Sequence, residues 1–316
     1  MDQPPTDRLK VGIFLPYTEY TMDGQTPRWN DILAIAQRIE ELGFDSVWLG
    51  EHLIFHFDEP HPWTGTPGHA GAAGSWACWS ILAALAAVTK RIAIGPLVGC
   101  TSFHNPAQLA KMADTIDEIS GGRFVLGLGA GWNELEYRAF GFPFDHRASR
   151  FEEAITIIHT LLREGRIDFA GTYYQARECE LRPRGPRAAG PPILIGTTGK
   201  RMLRLTARYA DLWNVDFWGN HRPEEIGPLR AAVDAACMAE GRDPATLRRT
   251  VSLNINPMGR ADIPTQDAIS GSPEEIAAVL LAFQREGISH IQVGLLPSTL
   301  ASLEAFAPTL ELLHRP

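Results

Sequence analysis

The chain has 316 residues, 45% of them hydrophobic and 21% charged, so it can bury a large core without disulfide or metal staples. A formal net charge of -8 argues against nucleic acid as a partner, because phosphate backbones want a basic face. The four cysteines (Cys78, Cys100, Cys179 and Cys237) stand far apart with no CxxC pair, which points away from zinc and disulfide frameworks and toward a reducing, cytoplasmic setting.

The polar, Pro-rich start MDQPPTDRLK has no apolar signal-peptide core. A first strand follows at Val11–Pro16, then a helix at Trp29–Leu42 with Ile32, Ile35, Ile39 and Leu42 at helical spacing, stopped by Gly43. Next come a strand at Ser46–Gly50 and a helix around Trp79–Val88. The apolar run Trp76–Val88 is shorter than the ~20 residues a membrane span needs, so it reads as a buried helix. A strand at Arg91–Val98, a helix at Pro106–Ile119, a strand at Arg123–Gly129 and a helix at Phe151–Leu162 continue the alternation. Residues Gly171–Pro192, with Gly and Pro at both ends, read as an excursion with a short hairpin. The alternation then resumes: strand Ile193–Gly196, helix Lys200–Tyr209, strand Asp211–Val215, helix Glu224–Glu240, strand Thr250–Asn256, helix Pro273–Glu286, strand His290–Leu296 and helix Leu300–Leu313. Eight strand–helix units imply a parallel α/β fold, a single (β/α)8 TIM barrel over residues 1–316 with an insertion around 165–191.

In such a barrel the chemistry sits in the loops after the strands. After strand two stand Glu51 and His52, the histidine able to exchange a proton near neutral pH. After strand five, Gly196-Thr197-Thr198-Gly199-Lys200 combines close backbone approach, hydroxyls and a helix start, which together suit a phosphate. It lacks the spacing of a Walker A loop. The run Gly129–Trp132 keeps a pocket wall thin. Asn214, Asp216, Phe217 and Trp218 follow strand six. The long Gly/Pro/His-rich stretch Phe55–Ser75 reads as a lid loop, and its His56, His61 and His69 fit no tight metal-ligand spacing, so no metal is expected.

ELGFDSVWLGEH (Glu41–His52), TKRIAIGPLV (Thr89–Val98), SGGRFVLGLGAGW (Ser120–Trp132), PPILIGTTGK (Pro191–Lys200) and ARYADLWN (Ala207–Asn214) occur in an order and spacing that resemble the luciferase-like monooxygenase superfamily, and within it the coenzyme F420-dependent oxidoreductases. The resemblance covers nearly the whole barrel. It implies a reduced deazaflavin or flavin at the C-terminal mouth, and homodimers. It implies a non-prolyl cis peptide at Leu97–Val98 against the ring system and a proton-donating or cofactor-contacting role for His52. It also implies a phosphate held by Gly196–Lys200 and a pocket lined by Gly129, Ala130, Gly131 and Trp132. One departure stands out. F420-dependent sugar-phosphate dehydrogenases carry a catalytic glutamate where this chain has Trp132; Glu134 and Glu136 lie nearby but offset. Sugar-phosphate oxidation is therefore not expected, and the tryptophan favours an aromatic or otherwise hydrophobic substrate.

The expectation is hydride transfer between F420 and a small organic substrate. His52 relays the proton, and Glu51 sets its orientation or charge. The ring lies near Leu97, Val98 and Cys100, with Asn105 and Tyr137 as further pocket residues. Lys200, Arg201 and Arg204 would suit the acidic F420 tail. The alternatives are an FMN-dependent monooxygenase served by a separate reductase, and a flavin-binding relative without turnover.

Overall fold

The computed structural model describes residues 8–61, 69–219 and 221–314. Strand β1 (Lys10–Phe14) pairs in parallel with β2 (Ser46–Leu49) on one side and with the last strand, β14 (His290–Leu295), on the other. Beyond β14 follow β12 (Arg248–Asn256), β11 (Leu212–Phe217), β10 (Ile193–Gly196) and β7 (Leu126–Gly129). The two ends of this path are β5 (Ala93–Pro96), beside β2, and β6 (Gly99–Cys100), beside β7. They are halves of one barrel strand, separated only by Leu97 and Val98, whose peptide bond is cis as expected. The ring thus closes through that strand, and a bridge between Ile94 and Phe124 seals the join. Eight strand positions form the barrel, as the alternating pattern predicts.

The strands are apolar on both faces because a parallel barrel buries both. Val47 and Leu49, Ile193 and Ile195, and Val251, Leu253 and Ile255 face the surrounding helices or the barrel interior with almost no exposure. Around them stand α1 (Trp29–Leu42), α2 (Cys78–Val88), α3 (Pro106–Ser120), α5 (Arg147–Glu164), α6 (Lys200–Tyr209), α7 (Ile226–Ala239), α8 (Pro273–Arg285) and α9 (Leu300–Leu313), with α9 returning against α1. A short extra helix, α4 (Glu134–Phe140), follows β7. Arg123 ties the end of α2 to the barrel by donating to the carbonyls of Ala86, Thr89 and Ile92. Among the described residues no helix is long and apolar enough to cross a membrane.

One segment differs from expectation, and the hairpin expected in the insertion begins a few residues earlier than Gly171. Much of Phe55–Ser75 is not a loop but an antiparallel hairpin of β3 (Ile54–His61) and β4 (His69–Gly74). The small residues of HAGAAG give no strand signal alone; pairing with β3 makes them one. The hairpin tip, and the side chains of His61 and His69, lie outside the described residues. The insertion near 165–191 holds a second hairpin, β8 (Arg166–Ala170) with β9 (Gln175–Glu180). Its turn is pinned by Glu153 of α5, which accepts from the backbone N–H groups of Thr172, Tyr173 and Tyr174.

Candidate active site

The C-terminal ends of the strands open into two adjoining bays. The larger, about 1120 Å³ open to solvent, lies over strands β5 to β12 and is lined by Val98, Cys100, Gly129, Gly131, Trp132 and Asp216 among others. The second, about 720 Å³, lies over β14, β1 and β2. His52, Leu97 and Trp218 line both.

Val98 lines the larger bay, and glycines on the neighbouring strands make room for it. A Cβ on Gly129 would sit 2.7 Å from the Val98 Cγ2. Gly131 has φ +77, and a Cβ there would meet the Tyr137 hydroxyl at 2.0 Å. The wall from Gly129 to Gly131 is therefore bare backbone, as the GLGAG run suggests. Tyr137 does not line the bay. It is buried behind this wall, its hydroxyl donating to the Ala130 carbonyl at 2.8 Å and lying 3.1 Å from the Cys100 Sγ. Burial pushes the Cys100 thiol up to about 12, so it stays protonated and unreactive.

His52 stands at the junction of the bays. Its Nδ1 lies 3.1 and 3.2 Å from the two carboxylate oxygens of Glu136, and Phe55 and Trp132 pack on its ring. Nε2 has no protein partner among the described residues. Glu136 belongs to α4 and is buried; it also accepts from the backbone N–H groups of Leu53, at 2.5 Å, and Ile54, at 3.3 Å. One carboxylate thus orients the histidine and fixes the base of the β3–β4 hairpin.

Glu51, expected to orient His52, does not. Its carboxylate turns toward β6 and α2, where three donors converge. Trp79 Nε1 donates at 2.7 Å, the Cys100 backbone N–H at 2.7 Å, and His104 Nε2 lies at 2.7 Å. Consecutive residues leaving a strand point to opposite sides, so adjacency in sequence separates Glu51 from His52 rather than joining them. The pairing of Glu136 with His52 spans 84 residues, so no local pattern predicts it. The acidic pair Glu134 and Glu136 after the glycine run was the only available signal.

Asn105 is a second correction. It is exposed and caps α3, accepting from the N–H groups of Ala107 and Gln108, and does not line either bay. Asn-Pro at a helix start is an N-cap signature, and that role accounts for it. Thr197 lines the larger bay, whereas Thr198, Gly199 and Lys200 stand exposed at its rim, where α6 begins. Gly199 at the N-cap offers no side-chain acceptor. The first N–H groups of α6 therefore receive no side-chain cap. Of the cations set aside for an acidic tail, Arg201 pairs with Glu152 at 2.6 Å and Arg204 with Glu240 at 2.8 Å; Lys200 makes no ion pair among the described residues.

Strand β11 and the residue just after it send Asn214, Asp216 and Trp218 toward the mouth side of the barrel at every second position. Asn214 joins a buried polar layer, its amide donating to Thr250 Oγ1 at 2.9 Å and Gln292 Oε1 at 3.1 Å. Asp216 reaches the bay. Its carboxyl is pushed up to about 6 by enclosure, against a lowering influence from the Trp218 backbone N–H and the nearby His52 and His221. It is open to the bay's solvent yet surrounded by protein on the other sides. Among the described residues no three His, Cys, Asp or Glu side chains are grouped to hold a metal ion.

One mouth of the closed parallel barrel thus carries a glycine-walled bay, a carboxylate-held histidine and an uncapped helix start. The model of the luciferase-like monooxygenase family matches residues 9–262, and the chain belongs to that family. Its relatives include the F420-dependent hydroxymycolic acid dehydrogenase of Mycobacterium tuberculosis, 32% identical over 77% of this chain and 61% of that one. Another is the pyrimidine monooxygenase RutA of Enterobacter cloacae, 32% identical over 74% of this chain and 64% of that one. The chain thus spans less than two thirds of the length of these relatives. Among solved structures, an F420-dependent secondary alcohol dehydrogenase in complex with an F420-acetone adduct has the same fold, with a TM-score of 0.79 at 19% identity over 98% of this chain and 100% of that one.

Proposed function

We propose that the chain is an F420-dependent oxidoreductase that moves a hydride between the reduced deazaflavin and a small organic substrate. The observation that supports this best is the His52–Glu136 pair at the junction of two bays, with the free Nε2 of the histidine available to a ligand. The larger bay fits a flat ring system: Val98 lines it and its wall is the bare backbone of Gly129–Gly131. The uncapped start of α6, with Thr197 and Lys200 beside it, would hold the cofactor phosphate. When bound, the cofactor supplies the hydride.

His52 supplies or accepts the accompanying proton at Nε2. Glu136 holds the ring through Nδ1, which selects the orientation that leaves Nε2 facing the ligands. The β3–β4 hairpin, anchored at its base by the same carboxylate, covers His52 with Phe55 and limits water there. A homodimer, which the family resemblance implies, acting on a small molecule in the reducing cytoplasm that the scattered cysteines suggest, completes this reading.

A second reading is an FMN-dependent monooxygenase served by a separate reductase. It is favoured by the RutA relative and by the engagement of Arg201 and Arg204 with glutamates, which leaves Lys200 alone for an acidic tail. Titration of the purified apoprotein with F420 and with FMN, followed by fluorescence, separates the two. Tight binding of F420, with its reduced form consumed anaerobically by an acceptor substrate, supports the first. Tight binding of FMN alone overturns it.

A further inference from the structure

The cofactor reading uses the larger bay and leaves the second without an occupant. That second bay is walled by aromatic and aliphatic side chains, chiefly Phe14, Tyr17, Phe55, Phe57 and Leu296. Its remaining polarity is uncharged: Thr18, Thr21, Asn254 and Ser298. Trp218 reaches across the mouth to Phe14, their rings 5.0 Å apart and edge to face, so that it partitions the two bays.

Charge separates the bays further. Among the described residues lining either bay there is no lysine or arginine. Among the described residues the second bay has no charged side chain apart from His52 when protonated. The first has three carboxylates, Glu51, Glu136 and Asp216. Glu51 is matched by His104 and Glu136 by His52, but Asp216 has no cation within ion-pair distance among the described residues. An anionic substrate reaching toward His52 would find no cation but that histidine, whose charge Glu136 already matches, and would meet the field of Asp216. A buried unpaired anion is strongly disfavoured, whereas an apolar body is favoured in proportion to the area it buries.

Resting on the reading of the larger bay as the cofactor's, we infer that the second bay takes an uncharged substrate with a flat or extended apolar body, and that the mouth as built rejects anionic analogues. The substrate's reducible group lies at the partition, beside His52, where both bays meet. Sugar phosphates and carboxylates are excluded by the lining itself.

A matched pair of ligands tests this: the neutral ketone 2-acetylnaphthalene and the carboxylate 2-naphthoate. Their affinities for the cofactor-saturated protein are measured by saturation-transfer NMR, with cofactor binding followed separately by fluorescence. The ketone is expected to bind at least tenfold more tightly than the carboxylate. Thr21→Arg, which places a cation on a half-buried position of the second bay, is expected to tighten the carboxylate at least tenfold. That is a gain a misfolded variant could not give. Equal or tighter binding of the carboxylate by the unaltered protein overturns the inference, as does no binding of the ketone, or a Thr21→Arg variant that folds and gains nothing. Failure to bind either F420 or FMN strikes the functional reading instead. The ligand pair is then measured on the apoprotein, whose second bay is lined by protein alone, and the same outcomes decide.

Discussion

Two histidines mark the two ends of the barrel, and their surroundings differ in every respect that matters. At the mouth, His52 has one ring nitrogen on a buried carboxylate and the other open to two bays. At the base, His290 is sealed. Its Nε2 lies 2.8 Å from the Ser46 hydroxyl, and that oxygen accepts from Trp48 Nε1 at 2.6 Å. The serine proton is thereby free to go to an unprotonated Nε2. Burial, with Lys10 and Arg248 nearby, pushes this histidine down to about 3, so it stays neutral. The lesson is that a strand end builds chemistry only where the chain leaves the ring and opens space. Where the chain enters, the same residue type is used to fill and to bond.

The contrast is broken most severely at the mouth. His52→Ala is expected to lower turnover by roughly 10²–10⁴-fold while cofactor affinity and melting temperature stay near those of the unaltered protein. Steady-state kinetics with fluorescence titration decides it, and an unchanged rate removes His52 from the proton path. Glu136→Gln keeps the shape but removes the charge that holds Nδ1. A loss of about 10–100-fold in turnover, with little change in substrate affinity, is expected. Limited proteolysis should also find the hairpin base looser, because the amide's oxygen is a weaker acceptor for the N–H groups of Leu53 and Ile54.

At the base the expected effect is on stability alone. The folded pKa of His290 lies below its unfolded value, so the unfolded chain binds the proton first as pH falls. Its contribution is fully present above the unfolded value of ~6.5 and is lost progressively down to about 3. Between pH 7 and pH 5 this amounts to about 2 kcal/mol. His290→Gln should abolish that part of the slope, so the stability gap between variant and parent narrows on acidification. Urea unfolding at the two pH values measures it. A gap that widens would show that the histidine takes up a proton in the folded state. The smallest effect is expected from Asn105→Ala. It loses the cap of α3, about 1 kcal/mol, with cofactor affinity unchanged. A loss of cofactor binding would return Asn105 to the site.

The bare wall at Gly129–Gly131 was legible because glycine spacing reports close backbone approach directly. His52 was legible because a titratable residue directly after a strand has one place to go. Glu136 was not, since its pairing with His52 depends on where α4 settles over the mouth. Glu51 misled for the reason that adjacent residues diverge. Asn105 misled because a helix cap and a ligand contact use the same side-chain oxygen.

The sequence by itself determined the alternation of eight strands with helices, the glycine wall, the helix start after β10 and the resemblance to a barrel family. These are local patterns of apolar period, turn residues and loop chemistry, and each is complete within a short stretch of chain. Only the tertiary structure decided which carboxylate serves His52, that HAGAAG pairs as a strand, that Arg201 and Arg204 are engaged, and that Trp218 meets Phe14 to divide the mouth. Each of those is a contact between segments far apart in sequence. No local preference encodes it; it exists only once the ring has closed and set the distances.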